Sequence, residues 1–163
     1  MGKSKSKSLQ YKEQVWDRQH SALQAPAYRV TVRGRGTEDG RVINLCKRRD
    51  GAEKTWTAEE VKKQIPSLEY WNIRGYDIYL TPMDDAYHHI LIDDLTARGV
   101  EYLKGQGYSP CLVQISSENN YQAILRTRKT EVSAEEQSAG NELLQKLNLL
   151  PDGCGGDKSI SAP

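Results

Sequence analysis

The chain has 163 residues, 37% hydrophobic and 28% charged, enough for one domain with a real core and too apolar in its longer stretches for wholesale disorder. Its 23 basic and 22 acidic residues leave a formal charge of +1, which excludes a nucleic-acid binder driven by bulk positive charge but leaves room for a local basic patch. No window approaches 18 consecutive apolar residues, the opening MGKSKSKS has no apolar stretch of a secretory signal, and Cys46, Cys111 and Cys154 form no C-x-x-C pair, so the reading is a cytoplasmic protein with reduced thiols.

Residues 1–8 read as a disordered basic tail, in which Lys3, Lys5 and Lys7 alternate with serines. Residues 9–163 then form one domain. Leu9 to Leu23 predicts a helix, with Leu9, Val15, Trp16 and Leu23 apolar, and Pro26 beyond its end. The alternation Tyr28-Arg-Val-Thr-Val-Arg33 predicts a strand, hairpinned through Gly34, Gly36 and Asp39-Gly40 to a second strand over Arg41–Cys46. The basic tract Lys47-Arg48-Arg49 follows. Thr57, with Glu60 three residues on, predicts a capped helix running to about Ile65, near Pro66.

A third strand is expected over Asp77–Thr81, ended by Pro82. A fourth, His88–Asp94, is nearly continuous in its apolar centre and so reads as central in a sheet. A short helix over Thr96–Lys104 ends at Gly105 and Gly107. Two more strands, Cys111–Ser116 and Tyr121–Arg126, are joined by the polar turn Ser117–Asn120. A last helix is expected over Ser133–Leu147, before a glycine-rich end. Interleaved strands, hairpins and helices give an α+β fold with mixed or largely antiparallel sheet, read from the pattern as one sheet with helices packed on it.

The chemistry concentrates in His88-His89-Ile-Leu-Ile-Asp93-Asp94-Leu95. Two ionised carboxylates at the end of a buried strand repel each other and are costly to desolvate, so they need a cation or water. Mg²⁺, which takes carboxylate and phosphate oxygens, is one solution; a turn in which Asp94 caps the next helix is the other. Successive strand residues point to opposite faces, so both carboxylates reach one site only if the strand twists or bulges there. For the same reason the adjacent His88 and His89 cannot both ligate one ion, and one of them packs while the other lines the active face.

The hairpin offers Ser116, Ser117 and Asn120 as small hydrogen-bonding groups for phosphate or sugar. Gln122 presents an amide, and Arg126, four residues on, shares its face in a regular strand. As an alternative, this is an ordinary polar hairpin. In the tail, Gly155-Gly-Asp157-Lys158 places a third carboxylate beside a lysine. Arg33, Arg35, Lys47, Arg48, Arg49, Arg126, Arg128 and Lys129 collect at strand ends and loops, as a basic groove for a template strand would, or as a solvated basic face.

These pieces come in a particular order: Asn72-Ile-Arg-Gly75-Tyr-Asp-Ile-Tyr-Leu-Thr-Pro82, Asp93-Asp94-Leu95, Gly107-Tyr-Ser-Pro110, the Ser-Ser…Asn-Tyr-Gln hairpin, a helix, and Gly-Asp157. The order resembles the plasmid replication-type (RepB-like) primases of the archaeo-eukaryotic primase superfamily, over roughly residues 55–160. The resemblance implies a pair of sheet-bearing subdomains, one related to the RNA-recognition-motif fold, with the active site in the cleft between them.

It also implies a nucleotidyltransferase that starts a chain on single-stranded DNA from nucleotide triphosphates, beside other plasmid replication proteins. Asp93, Asp94 and Asp157 fall on its acidic positions, the ligands of Mg²⁺ or Mn²⁺. Ser116, Ser117 and Gln122 fall on its nucleotide-binding motif, which Asn120, Arg126 and Lys158 would extend. In such sites two divalent ions roughly 3.5–4 Å apart serve the attacking hydroxyl and the leaving pyrophosphate.

One departure stands out. The Arg-Leu-Pro-Gly stretch that usually follows the third acid is not found before Pro163, which reads as a fragment of a larger protein or an incomplete catalyst. A binding module that keeps the primase fold without its activity, in a plasmid replication or mobilisation protein, is the alternative function.

Overall fold

The structure, a computed structural model, describes residues 6–35, 42–46 and 53–129. The chain divides into two compact units, residues 1–84 and 85–163. Each carries its own three-stranded antiparallel sheet, so the fold is α+β with two sheets where the strand pattern alone had suggested one. The helix expected over Ser133–Leu147 and the tract Lys47–Arg49 lie outside the described residues.

The first unit contains α1 (Lys7–Leu23), β1 (Ala27–Gly34), β2 (Val42–Asn44), α2 (Ala58–Ile73) and β3 (Tyr76–Met83). Helix α1 starts earlier than expected. Ser6 accepts a hydrogen bond from the Leu9 amide at 3.2 Å, so Ser6, Lys7 and Ser8 are cap and first turn rather than tail. Strand β1 alternates as the sequence predicts, burying Tyr28, Val30 and Val32, and it is the central strand in the order β2-β1-β3.

Strand β3 runs through Pro82, which pairs with Tyr28. This corrects the expectation that Pro82 ends it: β3 is an edge strand, where a residue lacking an N–H is tolerated. Helix α2 has the expected capping box, with Thr57 and Glu60 bonded reciprocally at 2.9 and 3.2 Å. Lys54 pairs with Glu60 and holds its carboxyl below the usual range, helped by the Thr57 amide.

The helix passes through Pro66 to Ile73 instead of stopping near Ile65. Val61, Ile65 and Leu68 form one buried stripe across the proline, and burying that stripe opposes the helix-breaking cost. Around Tyr28 the packing is aromatic and polar at once. Trp16 meets the Tyr28 ring edge-on at 4.9 Å, and His20 Nδ1 lies 2.7 Å from the Tyr28 hydroxyl.

The second unit contains β4 (Tyr87–Leu95), α3 (Ala97–Gly105), β5 (Leu112–Ser117) and β6 (Asn120–Arg128), with sheet order β4-β6-β5. Strand β4 therefore lies at the edge, not the centre, and β6 is the middle strand. The apolar run in β4 has another cause. Ile90 and Ile92 face α3, and Leu91 is half-buried on the opposite face. The core is Ile92, Leu95, Val100, Leu103, Ala123 and Leu125, with Ile90, Tyr108 and Tyr121 against it. Thr96 caps α3 by accepting from the Gly99 amide at 3.0 Å. Among the described residues no helix is long and apolar enough to cross a membrane.

Candidate active site

Strand β4 pairs regularly with β6 from Tyr87 opposite Arg128 to Ile92 opposite Ala123, and then resumes with Leu95 opposite Tyr121. Asp93 and Asp94 together face the single residue Gln122, so the strand carries a β-bulge at the two carboxylates. In an uninterrupted strand Asp94 would share the face of Ile90 and Ile92 and enter the core on α3. The extra residue prevents this. Ile92 and Leu95, three positions apart, both lie in the buried cluster, while Asp94 is exposed and Asp93 half-buried.

The backbone at Asp94 adopts φ +54°, the left-handed region, which aspartate tolerates better than most residues. The Asp94 amide donates to Asp93 Oδ1 at 2.8 Å, tying the two residues to each other. The cap of α3 is Thr96, so Asp94 does not have the helix-capping role that was its structural alternative.

The hairpin reaches this bulge. Asn120 Nδ2 donates to Asp94 Oδ1 at 2.8 Å. The turn Ser117–Asn120 has Asn119 at φ +59°, and a second irregularity between Ile115 and Ser117 gives Ser116 an offset of its own. Ser116 Oγ donates to the Asn120 carbonyl at 3.3 Å. Ser116 and Ser117 are both exposed.

Gln122 stands opposite the bulge on one side and opposite Gln114 on the other. Gln114 Nε2 donates to Gln122 Oε1 at 2.8 Å, so this bond engages the oxygen of the Gln122 amide and not its NH₂. Arg126 follows on the same face, as strand periodicity requires, with its guanidinium 3.5 Å from the centre of the Tyr87 ring. His89 pairs with Arg126 on this face, whereas His88, opposite Thr127, lies on the α3 side. The two histidines thus diverge as expected.

The structure brings together Asp93, Asp94, Asn120 and Gln122 on adjoining strands, with Ser116 bonded to Asn120 and Arg126 four residues along β6 from Gln122. Asp157 and Lys158 lie outside the described residues. Gln114 and Tyr87 were not singled out from sequence. Their signal was register: Gln114 sits where a β5 residue must face Gln122, and Tyr87 starts the strand opposite Arg128.

Among the basic residues, Arg33, Arg128 and Lys129 are exposed. Arg35 is tied to Asp77 at 3.0 Å and to the Asn72 carbonyl at 3.2 Å. Among the described residues, no three of His, Cys, Asp and Glu gather into a metal-holding group. The pair at the bulge nevertheless has the donor chemistry of a hard divalent cation: two carboxylates whose backbone places both outside the core. The Cys111 thiol is pushed up by burial, so the sheet offers no ready thiolate beside them.

The chain, which has an acidic bulge in one of its two three-stranded antiparallel sheets, has the fold of a primase catalytic domain. It superimposes with a TM-score of 0.70 on the crystal structure of the catalytic domain of primase RepB' in complex with initiator DNA, at 26% identity over 90% of this chain and 69% of that one. A crystal structure of primase RepB' matches with the same TM-score and identity over 45% of its chain.

The chain belongs to the RepB DNA-primase N-terminal domain family, whose sequence model matches residues 21–161. It is 34% identical over 142 residues to a DNA primase of Acidithiobacillus ferrooxidans, covering 87% of this chain and 40% of that protein. It is 30% identical over 150 residues to mobilization protein A of Escherichia coli, covering 82% of this chain and 20% of that one. The chain thus spans less than half the length of these relatives.

Proposed function

We propose that this chain is the nucleotidyltransferase domain of a replication primase, making primers on single-stranded DNA from nucleotide triphosphates. The observation that carries the reading is the bulge in β4, which takes two adjacent carboxylates out of the core and sets both opposite Gln122. A Mg²⁺ or Mn²⁺ ion held by Asp93, Asp94 and Asp157 would supply charge neutralisation for phosphoryl transfer.

The rest is done by the chain's own groups. The Gln122 amide NH₂, fixed by Gln114, donates to the incoming nucleotide, and Arg126 and Lys158 offset the charge of its phosphates. Ser116 and Ser117, exposed on the hairpin, contribute hydroxyls to the same nucleotide. Holding these groups in place supplies most of the rate enhancement, because phosphoryl transfer depends chiefly on positioning and electrostatics.

Basic residues of each unit are assigned to the phosphates of the template strand: Arg33 and Arg35, with Lys47, Arg48 and Arg49 of the sequence, in the first, and Arg128 and Lys129 in the second. The initiator DNA in the RepB' complex supports a DNA partner. The likeness to a mobilization protein supports a plasmid or mobile-element setting, with other plasmid replication proteins nearby in the cytoplasm.

The test is primer synthesis on single-stranded DNA with labelled nucleotide triphosphates and Mg²⁺ or Mn²⁺. The expected result is metal-dependent, template-dependent oligonucleotide product. A folded chain that binds single-stranded DNA yet makes no product with either metal would contradict the reading and leave a binding module.

A further inference from the structure

The sequence reading gave Asn120 to the nucleotide; its hydrogen bonds give it a different task. Asn120 is the first residue of β6, directly after the left-handed Asn119. Its side-chain amide crosses to the bulge and donates to Asp94 Oδ1 at 2.8 Å. Its backbone carbonyl accepts from Ser116 Oγ at 3.3 Å, so the residue making the contact is itself braced by the hairpin.

At the other end of the contact, Asp94 is exposed, sits at φ +54°, and is the additional residue of the bulge. Nothing in a strand ladder fixes the carboxylate of such a residue. A carboxylate held only by solvent samples several rotamers, and each must be given up when a ligand binds. A donor on one oxygen selects one of them and leaves the second oxygen for a cation.

We propose that Asn120 is a positioning residue for Asp94. It sets the carboxylate for the divalent cation and does not touch the nucleotide. The inference rests on the reading of Asp93 and Asp94 as cation ligands. Partners that orient metal-ligating carboxylates typically cost 10- to 100-fold in metal affinity when removed.

The experiment measures Mn²⁺ affinity of the 163-residue chain, without nucleotide or DNA, by calorimetry and by the loss of free-Mn²⁺ electron paramagnetic resonance signal. Four proteins are compared: wild type, Asn120→Ala, Asp94→Asn and the double variant. Asn120→Leu, close in size and suited to a strand, serves as a second probe should the alanine variant fold poorly. Melting curves establish that each variant is folded.

Asn120→Ala is expected to weaken Mn²⁺ about 10-fold. Asp94→Asn weakens it further, and the double variant matches Asp94→Asn, because Asn120 acts only through that carboxylate. Nucleotide affinity in the absence of metal stays unchanged in Asn120→Ala. The inference is overturned if Asn120→Ala and Asn120→Leu bind Mn²⁺ like wild type while Asp94→Asn does not, or if Asn120→Ala weakens the metal equally in both backgrounds. A wild type that takes up no Mn²⁺, or an Asp94→Asn variant that binds it normally, overturns the cation reading itself and the inference with it.

Discussion

Deleting Asp94 should repair the strand and destroy the site. With Asp94 removed, Ile92 still pairs with Ala123 and Leu95 still pairs with Tyr121, and Asp93 alone faces Gln122. That is an ordinary antiparallel ladder. Leu95, fully buried, keeps its place; losing it from the core would cost about 2–5 kcal/mol. The deletion removes a left-handed non-glycine residue, worth about 1 kcal/mol, and it loses the Asn120 hydrogen bond, worth about 1 kcal/mol. The two terms offset, so stability should stay within about 1 kcal/mol of wild type.

Deleting Leu91 from the same strand is the control, because it throws Ile90 off the face it packs on and brings His89 onto it. That should cost about 2 kcal/mol or more. Urea unfolding measures both stabilities, and primer synthesis measures the site. The reasoning would be refuted if deleting Asp94 destabilised the protein as much as deleting Leu91, or if the stable deletion still made primers.

Two other outcomes follow from side-chain contacts. Gln122→Ala should raise the nucleotide KM several-fold without altering the metal titration, and Gln114→Ala should do the same more weakly by freeing the Gln122 amide; a shifted metal requirement with unchanged KM would move Gln122 out of the nucleotide pocket. Burial pushes the Tyr28 phenol up to about 12, opposed weakly by a hydrogen bond from Ala25. The unfolded chain ionises this phenol near its ordinary value of 10 and the folded chain does not, so its contribution is intact below pH 10 and lost as pH rises toward 12, by about 3 kcal/mol at most. Stability should therefore fall more steeply over that window in wild type than in Tyr28→Phe, and equal slopes would count against a buried, un-ionised Tyr28.

The fold was legible where a single element determines its own pattern. The alternation of Tyr28, Val30 and Val32, the Thr57–Glu60 capping box and the polar turn before Asn120 each predicted what formed. It was less legible where the outcome depends on partners. Pro66 and Pro82 look like breaks, yet one is carried by a buried stripe that spans it and the other sits on an edge strand that does not need its N–H. Strand β4 reads as central because its run is apolar, but an edge strand packed on one face and half-buried on the other produces the same run.

For the site, the conflict between strand alternation and two adjacent carboxylates was visible in the letters Ile92-Asp93-Asp94-Leu95. Both carboxylates could share one side only through a twist or bulge, against a regular strand with Asp94 as helix cap, and a bulge formed. The contacts to it were not visible, because they depend on cross-strand register. Only pairing places Asn120 beside Asp94 and Gln114 beside Gln122, and the register of β4 and β5 on β6 is a cross-strand outcome that no local pattern announces.

The central claim is that the carboxylates at the bulge do the chemistry and do not hold the fold. Primer synthesis by Asp93→Asn and Asp94→Asn, measured beside their melting temperatures, addresses it most directly. Each substitution removes one of two neighbouring like charges outside the core, so the fold should be as stable as wild type or slightly more so. Synthesis should fall on the order of 100-fold or more. A folded variant of either residue that makes primers at near the wild-type rate would contradict the account.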